Sequence, residues 1–326
     1  MSEKAKIILK SGKDQSLRRR HPWVFSGAIK KIHGVPGEGD LVDVFDNKDE
    51  KLGSGHYQNG SIAIRMLEFG DTEVGPDFWE RKIRSAWKHR QDEGIYQPGV
   101  TDVFRLVNAE GDGLPGLIVD YYNGALVVQL HSSGMYRELG SITAALQQLE
   151  QLPVDTIYNK SKQTLHQKEG IEPKDELLYG NRMEGEVLEY GNRFVVNWER
   201  GQKTGFFIDQ RENRRLLEKY SRDRKVLNMF CFSGGFSVYA VRGGASLVHS
   251  VDSSGHAIDL TRDNIRSNFG ETATHEAFAT DAFSYLEDIR DTYDLIILDP
   301  PAFAKHQNVL NNALQGYKRL NQKAID

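Results

Sequence analysis

Residues 292–306 read "TYDLIILDPPAFAKH". Leu295, Ile296, Ile297 and Leu298 follow Tyr293 and run straight into Asp299-Pro300-Pro301. Four successive apolar residues leave no polar face, so this run is expected to be a strand covered on both sides, as in parallel sheets flanked by helices. Proline has no N–H and a fixed φ, so the pair stops the strand and sets a rigid shelf behind a carboxylate.

The preceding chain repeats the pattern. Strands are expected at "KVLNMF" (225–230), "SLVHSVD" (246–252), "HEAFAT" (275–280) and "YDLIILD" (293–299), alternating with helices from Gly235, over "HAIDLTRDNIRSN" and over "DAFSYLEDI". That alternation predicts a parallel α/β sheet. It is preceded by a helix at "DQRENRRLLEKY" and by a hairpin over "EVLEYGNRFVVNWE" with Gly191-Asn192 at its turn. Residues 6–70 read instead as short strands broken by turns, the pattern of a small all-β barrel. Between them, "FWERKIRSAWKHRQDEG" has helical spacing and stops at Gly94, strands surround the turn Glu110-Gly111-Asp112-Gly113, and "ELGSITAALQQLEQL" is amphipathic. This stretch predicts a small α+β domain. The Glu-Gly-Asp-Gly turn suits a metal or phosphate site, but a tight turn needing φ > 0 explains it as well. The chain is thus expected to be α/β overall, with domains at 1–74, 75–182 and 183–326.

Composition narrows the function. The chain has 326 residues, 39% hydrophobic and 27% charged, with a formal net charge of -4. No apolar run approaches a membrane span, the N-terminus lacks a secretory signal, and a soluble cytoplasmic protein is the default. A single cysteine, Cys231, excludes an internal disulfide framework, and the ten histidines show no pair at zinc-ligand spacing, so no metal is expected. Within residues 1–31, nine Lys or Arg face Glu3 and Asp14, leaving about +7 there. Such a run is often only a solvated face. Lys13, Arg18, Arg19 and Arg20 lie beside Trp23 and Phe25, however, and that interleaving suits phosphate contact with base stacking.

Ligands of open α/β sheets bind beyond the carboxyl ends of the strands. The first strand is followed by Phe230, Ser233, Gly234 and Gly235, and the next three by Asp252, Asp281 and Asp299. A glycine pair lets a ligand approach the backbone, and Asp252, eighteen residues past Gly234, is placed to accept from two ribose hydroxyls. Those two features also suit NAD, but a pyrophosphate asks for spaced glycines, and these are adjacent. S-adenosylmethionine carries no phosphate and fits better, with Asp281 accepting from the adenine amino group. Helix N-capping is the alternative role for each aspartate. The Asp299-Pro300-Pro301 shelf suits the amino edge of a planar base, with Phe303 stacking on it. In amino-methylating enzymes with such a shelf an aromatic follows the prolines directly; here Ala302 intervenes, which tips the reading away from an exocyclic nitrogen.

The chain resembles the bacterial 23S ribosomal RNA cytosine-5 methyltransferases, which join a PUA domain, a small strand–helix–strand domain and a Rossmann-like S-adenosylmethionine-dependent domain. The matching pieces are "RRRHPWVFSGAI", "RLVNAEGDGLPGLIVDYY", "GQKTGFFIDQRENR", "VLNMFCFSGGFSVYA", "DPPAFAK" and "GYKRLNQKAI". The resemblance implies a PUA-type RNA-binding barrel, and cofactor contacts from Phe207, Asp209 and Arg211 besides Phe230, Ser233, Gly234, Gly235, Asp252, Ser253, Asp281, Ala282 and Asp299. It implies ribosomal RNA as partner, with the target cytosine single-stranded or flipped out; a homodimer is left open. Catalysis is implied for Asp299 and Pro300, together with a cysteine thiolate that adds to C6 of the base and so activates C5. The family carries that cysteine in a Ser-Cys-Ser segment after a fifth strand, beyond residue 326 here. The expectation is therefore a C-terminally shortened enzyme, with Cys231 a packed small hydrophobe. The rival readings are an amino-methyltransferase of nucleic acid and a non-catalytic RNA-binding protein.

Overall fold

The computed structural model describes residues 4–168, 170–271, 274–288, 292–304 and 310–325. The chain divides into two compact units, Met1–Gly185 with Asn197–Gly205, and Glu186–Val196 with Phe206–Asp326.

The first unit opens with a six-stranded sheet built from β1 (Lys6–Leu9), β2 (Trp23–Phe25), β3 (Ile29–His33), β4 (Leu41–Phe45), β5 (Lys51–Tyr57) and β6 (Ile62–Phe69), with the short helix α1 (Gln15–Arg18) after β1. The strand order is β2-β6-β5-β4-β1-β3. Alternating inward residues, among them Ile7, Leu9, Val42, Val44 and Ile64, form its core. Helix α2 (Phe78–Asp92) leads to β7 (Val103–Asn108), β8 (Leu117–Tyr122) and β9 (Ala125–Leu130). Helices α3 (Ser133–Arg137) and α4 (Leu139–Gln147), then β10 (Thr156–Lys160) and β11 (Asp175–Tyr179), complete a five-stranded sheet of order β11-β10-β9-β8-β7. Its core takes Phe78, Ile83 and Trp87 from α2, and Ile142 and Leu146 from α4.

A two-stranded hairpin, β12 (Glu184–Glu189) and β13 (Asn192–Asn197), follows. Its turn is Tyr190-Gly191, with φ of 50° and 77°, one residue earlier than expected, because Asn192 already belongs to β13. Two consecutive left-handed residues suit the twist of a tight hairpin.

The second unit alternates α5 (Arg211–Tyr220), β14 (Lys225–Met229), α6 (Gly235–Arg242), β15 (Leu247–Asp252), α7 (Gly255–Phe269), β16 (His275–Ala279), α8 (Ala282–Asp288), β17 (Leu295–Leu298) and α9 (Leu310–Ile325). The strands form a parallel sheet of order β16-β15-β14-β17. Alternate residues of one strand serve two cores. Val226, Leu295 and Ile297 pack with α5 and α6, whereas Leu227, Ile296 and Leu298 pack with α8 and α9. This two-sided burial is why β17 is apolar at every position. Among the described residues β17 is an edge of the sheet, paired with β14 alone. No described helix is long and apolar enough to cross a membrane.

Candidate active site

β14 ends in a tightly folded loop, Phe230–Gly235. Phe230, Cys231's successor Phe232, and Gly234 all have positive φ, of 59°, 50° and 75°. Left-handed backbone at two phenylalanines is costly and persists only where the surroundings enforce it. The enforcement comes from α7. Thr261 Oγ1 donates to the Phe232 carbonyl at 3.0 Å, and Asn264 Nδ2 donates to the Ser233 carbonyl at 2.8 Å. Gly234 lies so close to Thr261 that a Cβ there would stand 2.6 Å from Cγ2. Both Thr261 and Asn264 are fully buried, so the loop is pinned from below.

The strand-end aspartates surround this loop by topology. Asp252, at the end of β15, accepts from the Phe232 N–H at 3.1 Å with Oδ2 and from the Ser254 N–H at 2.9 Å with Oδ1. Ser253 beside it is exposed. Asp281 Oδ1 accepts from the N–H groups of Phe283 (2.9 Å) and Ser284 (3.2 Å), so one of its oxygens caps α8. Ala282 is buried in the core beneath it. Asp299 is exposed and has no hydrogen-bond or ion-pair partner among the described residues; Pro300 behind it is half-buried. Three strands thus deliver carboxylates to one edge, two of them oriented by backbone amides.

The segment before α5 contributes Phe207, whose ring meets that of Phe232 edge-on at 5.3 Å. Its position depends on an arrangement that sequence reasoning missed. Glu189 and Arg214 form a buried two-pronged ion pair, both bonds 2.7 Å, with side chains 0% and 2% exposed. Arg214 Nη1 also donates to the Phe207 carbonyl at 2.9 Å, and the Tyr239 hydroxyl donates to Glu189 Oε1 at 3.0 Å. Burial, and then the Glu189 charge, hold the Tyr239 hydroxyl above its usual range. An arginine three positions before Leu217, on the apolar stripe of a helix, was the available signal.

The other expected residues have neighbours of their own. Asp209 is exposed in the turn Ile208–Gln210. Arg211 faces the Tyr190 ring at 5.9 Å, with Nε 3.9 Å from Glu189 Oε2, so its charge is drawn toward the buried carboxylate. Phe303, expected to stack on a base, stacks on Tyr317 of α9 at 4.5 Å and 28°, and its N–H donates to the Tyr317 hydroxyl. A ring already covered by a neighbour has one face fewer to offer. Lys305 and His306 of the quoted stretch lie outside the described residues. Cys231 is buried, 3.7 Å from Thr261 Oγ1, and burial pushes its thiol up to about 12, so it packs as a small apolar group and holds its proton at neutral pH. Among the described residues, no group of three or more His, Cys, Asp or Glu could hold a metal ion.

In the first unit, Lys13, Arg19 and Arg20 are exposed. Arg18 is not a free cation: it pairs with Asp14 at 2.7 Å, Glu50 at 2.7 Å and Asp46 at 3.0 Å. The latter two partners are about thirty residues away in sequence, which hid them. Trp23 Nε1 donates to Glu110 Oε1 at 2.9 Å.

A family model described as S-adenosylmethionine-dependent methyltransferase matches residues 105–325. The chain belongs to the S-adenosylmethionine-dependent methyltransferase family. A PUA-like domain model matches residues 7–69. The methyltransferase is 39% identical to ribosomal RNA large subunit methyltransferase I of Pseudoalteromonas translucida, covering 98% of this chain and 81% of that protein. It is 36% identical to the protein of that name in Escherichia coli, covering 98% and 82%. Two solved structures share the fold. One, described as a methyltransferase complexed with SAH, has a TM-score of 0.81 at 23% identity over 98% of this chain and 82% of that one. The other, a methyltransferase from Streptococcus mutans, has a TM-score of 0.78 at 22% identity over 98% and 90%. The methyltransferase's cofactor is S-adenosylmethionine. The residues present fit it: the strand ends offer carboxylates, which match a cationic, phosphate-free ligand, and the loop closes at a glycine pair rather than spaced glycines.

Proposed function

We propose that this methyltransferase acts on large-subunit ribosomal RNA and places its methyl group on C5 of a cytosine. The reading is carried by the three strand-end carboxylates around the Phe230–Gly235 loop, in a chain 39% identical to a ribosomal RNA methyltransferase. Residues 1–74 are the RNA-binding module, 75–182 the central module and 183–326 the catalytic one, working in the cytoplasm.

When bound, the cofactor supplies an electrophilic methyl on a sulfonium. Asp252 holds the ribose hydroxyls with lone pairs left over from the Phe232 and Ser254 amides, and Asp281 takes the adenine amino group with the oxygen not capping α8. Phe207 covers the cofactor, with Asp209 beside it. Phe230, Ser233, Gly234 and Gly235 give the close backbone approach, and Ser253 and Ala282 shape the adenosine slot. Arg211 completes this set, with its guanidinium also drawn toward Glu189 and Tyr190.

Asp299 on the Pro300 shelf takes the N3/N4 edge of the base. Hydrogen bonding there stabilises charge that develops on the ring, and it is available because no described residue satisfies Asp299. The target carbon of a paired base lies inside the stack, so the cytosine is single-stranded or flipped out. Cys231 is not the thiolate of this chemistry, since its proton is held and its sulfur is packed beside Thr261.

Two measurements test the reading. Asp252→Ala is expected to weaken S-adenosylmethionine binding by roughly tenfold or more in calorimetry, since two polar contacts are lost. Large-subunit ribosomal RNA from cells making the protein, digested to nucleosides, is expected to contain added 5-methylcytidine by mass spectrometry. A methyl on an exocyclic nitrogen would instead establish the amino-methyltransferase reading.

A further inference from the structure

A cleft of the first unit is not part of the site above. It has a volume of about 1050 Å³, at the upper end of small-ligand pockets, which suits an extended ligand better than a compact one. Its walls come from four separate segments. Trp23 and Arg65 are supplied by β2 and β6, Arg105 by β7, and Arg200 and Lys203 by the loop after β13. Lys160 of β10 also lines it.

The first wall is aromatic and cationic on one face. Trp23 pairs with Arg65 across β2 and β6, and paired residues project to the same side. Val24 points inward, so Trp23 and Phe25 point outward together; Phe25 is 50% exposed. His21, Trp23 and Phe25 meet edge-on in a row, at 5.7 and 6.4 Å. Glu110 fixes the indole by accepting from its Nε1. An oriented row of rings on an edge strand is a stacking platform for unpaired bases, whose faces a duplex would hide.

The facing loop is also built rather than loose. Lys160 Nζ donates to the carbonyls of Trp198 and of Gly201, the latter at 2.6 Å, and the Arg200 N–H donates to Asn197 Oδ1 at 2.8 Å. The Gly201 N–H donates to the Asn197 carbonyl at 2.9 Å. Lys160 therefore spends its protons on holding the loop that carries Arg200 and Lys203. Arg65 and Arg200 face no carboxylate within ion-pair distance among the described residues. Five Lys or Arg side chains line the cleft, of which Arg105 is paired with Asp120 at 2.9 Å and Lys160 is committed to the loop; the acidic residues lining it are Glu110, Asp175 and Glu199. Of these, Glu110 is taken by Trp23 and Asp175 accepts from the Lys162 N–H at 2.9 Å.

We propose that this cleft holds a single-stranded stretch of RNA, with bases stacking on Trp23 and phosphates on Arg65, Arg200 and Lys203, whereas Arg105 is held in the wall by its two-pronged pair with Asp120 at 2.9 and 3.2 Å. The proposal rests on the ribosomal RNA reading and adds to it a strand site assembled jointly by the barrel and the central sheet. Lys160 and Glu110 are positioning residues within it.

The test uses the full chain and a fluorescein-labelled single-stranded oligoribonucleotide of about a dozen nucleotides, read by anisotropy across a salt series, with a duplex of the same sequence beside it. Trp23→Ala is expected to weaken strand binding about tenfold and Trp23→Phe far less, because a ring survives. The double variant R200A/K203A is expected to lower the slope of log affinity against log salt by about 1.4, two phosphate contacts at about 0.7 each for a single strand. S-adenosylmethionine affinity, measured on the same samples, is expected to stay at the parent value, and this also shows that the variants are folded. Parent-like strand binding by both Trp23→Ala and the double variant, or a preference for the duplex, overturns the cleft. A parent protein that methylates ribosomal RNA but ignores the strand overturns the cleft alone. A parent protein that binds no S-adenosylmethionine overturns the reading beneath it.

Discussion

Two turns of this chain carry glycines: Glu110-Gly111-Asp112-Gly113 in the first unit, which the sequence reads chiefly as a tight turn, and Phe230–Gly235 in the second, which it reads as a ligand loop. Both use left-handed backbone, at Ala109 and Gly113 in one and at Phe230, Phe232 and Gly234 in the other. They differ in where their polar groups go. Asp112 receives both Nη groups of Arg90 at 2.6 Å and the Asn108 N–H at 2.6 Å, with both side chains of the ion pair only 8% exposed. That turn is closed on itself. The second turn is held from beneath by Thr261 and Asn264, while Asp299 at the same sheet edge keeps its acceptors for a ligand. A turn that satisfies its own carboxylate is architecture; a turn fastened through its backbone, with carboxylates left over, is a site.

The largest effect that would break this contrast is expected at Arg90. Arg90→Met strands the Asp112 carboxylate in a buried position and is expected to cost about 3–5 kcal/mol of stability, measured by denaturant unfolding. S-adenosylmethionine affinity of the folded protein is expected to be unchanged, because Arg90 belongs to the closed turn of the other unit. A loss near zero would mean that the first turn is not held by its ion pair.

His56 is an exception inside the first unit, a buried side chain whose Nδ1, like Thr156 Oγ1, has no hydrogen-bond partner among the described residues. Burial, and then the charges of Arg137 and Arg65, push it down to about 4. In the unfolded chain it takes up a proton near pH 6.5, so between pH 6.5 and 4 the unfolded state binds more protons. The stability it contributes is complete above pH 6.5 and is lost as pH falls toward 4, by up to about 3 kcal/mol. His56→Phe, which cannot titrate, is expected to lose correspondingly less stability across that window in parallel melts. Equal losses in the two proteins would show that His56 is already solvated.

Gly234→Ala probes the second turn. The φ of 75° and the 2.6 Å approach to Thr261 together predict a cost of about 1–3 kcal/mol. Because the loop must shift, cofactor affinity is expected to fall with it. Gly111→Ala, where the new Cβ meets only Asn108 Nδ2 at 3.3 Å, is expected to change the melting temperature much less. If the two substitutions proved equally mild, the second turn would not be under constraint.

How much of this was legible follows the range of the interactions. The four strands of the second unit were readable because short apolar-rich segments alternate with helices, β17 as an unbroken apolar run, and the loop after β14 because its adjacent glycines mark a close approach of backbone. β11 was missed: Glu176, Leu177 and Leu178 are only half-buried between exposed ends, so the strand carries neither an alternating nor a long apolar signal. The aspartates were readable as a set by their register at strand ends, but not their local duties, since capping by Asp281 and backbone bonding by Asp252 are decided at single atoms. Glu189 with Arg214, and Phe303 with Tyr317, pair residues from different elements, and one sequence carries no mark of such partnerships.

Arg18 shows the same limit on the smallest scale and separates two ideas about the basic N-terminus. Read as a run, Arg18, Arg19 and Arg20 are three equivalent cations. In the fold, Asp14, Asp46 and Glu50 converge on Arg18 alone, and its hydrogen bonds to Glu50 and Asp14 are the main reason its guanidinium holds its proton even more firmly than usual. A cation surrounded by carboxylates adds little field at a phosphate, whereas Arg19 and Arg20 are exposed. Arg18→Ala is therefore expected to leave strand affinity within about twofold of the parent, in line with the small worth of exposed ion pairs. Arg19→Ala with Arg20→Ala is expected to weaken it more and to flatten the salt dependence. If Arg18→Ala proved the more damaging change, the carboxylates around it would have to be read as part of an RNA-facing device, and the distinction between closed and open polar groups drawn from the two turns would fail at this surface.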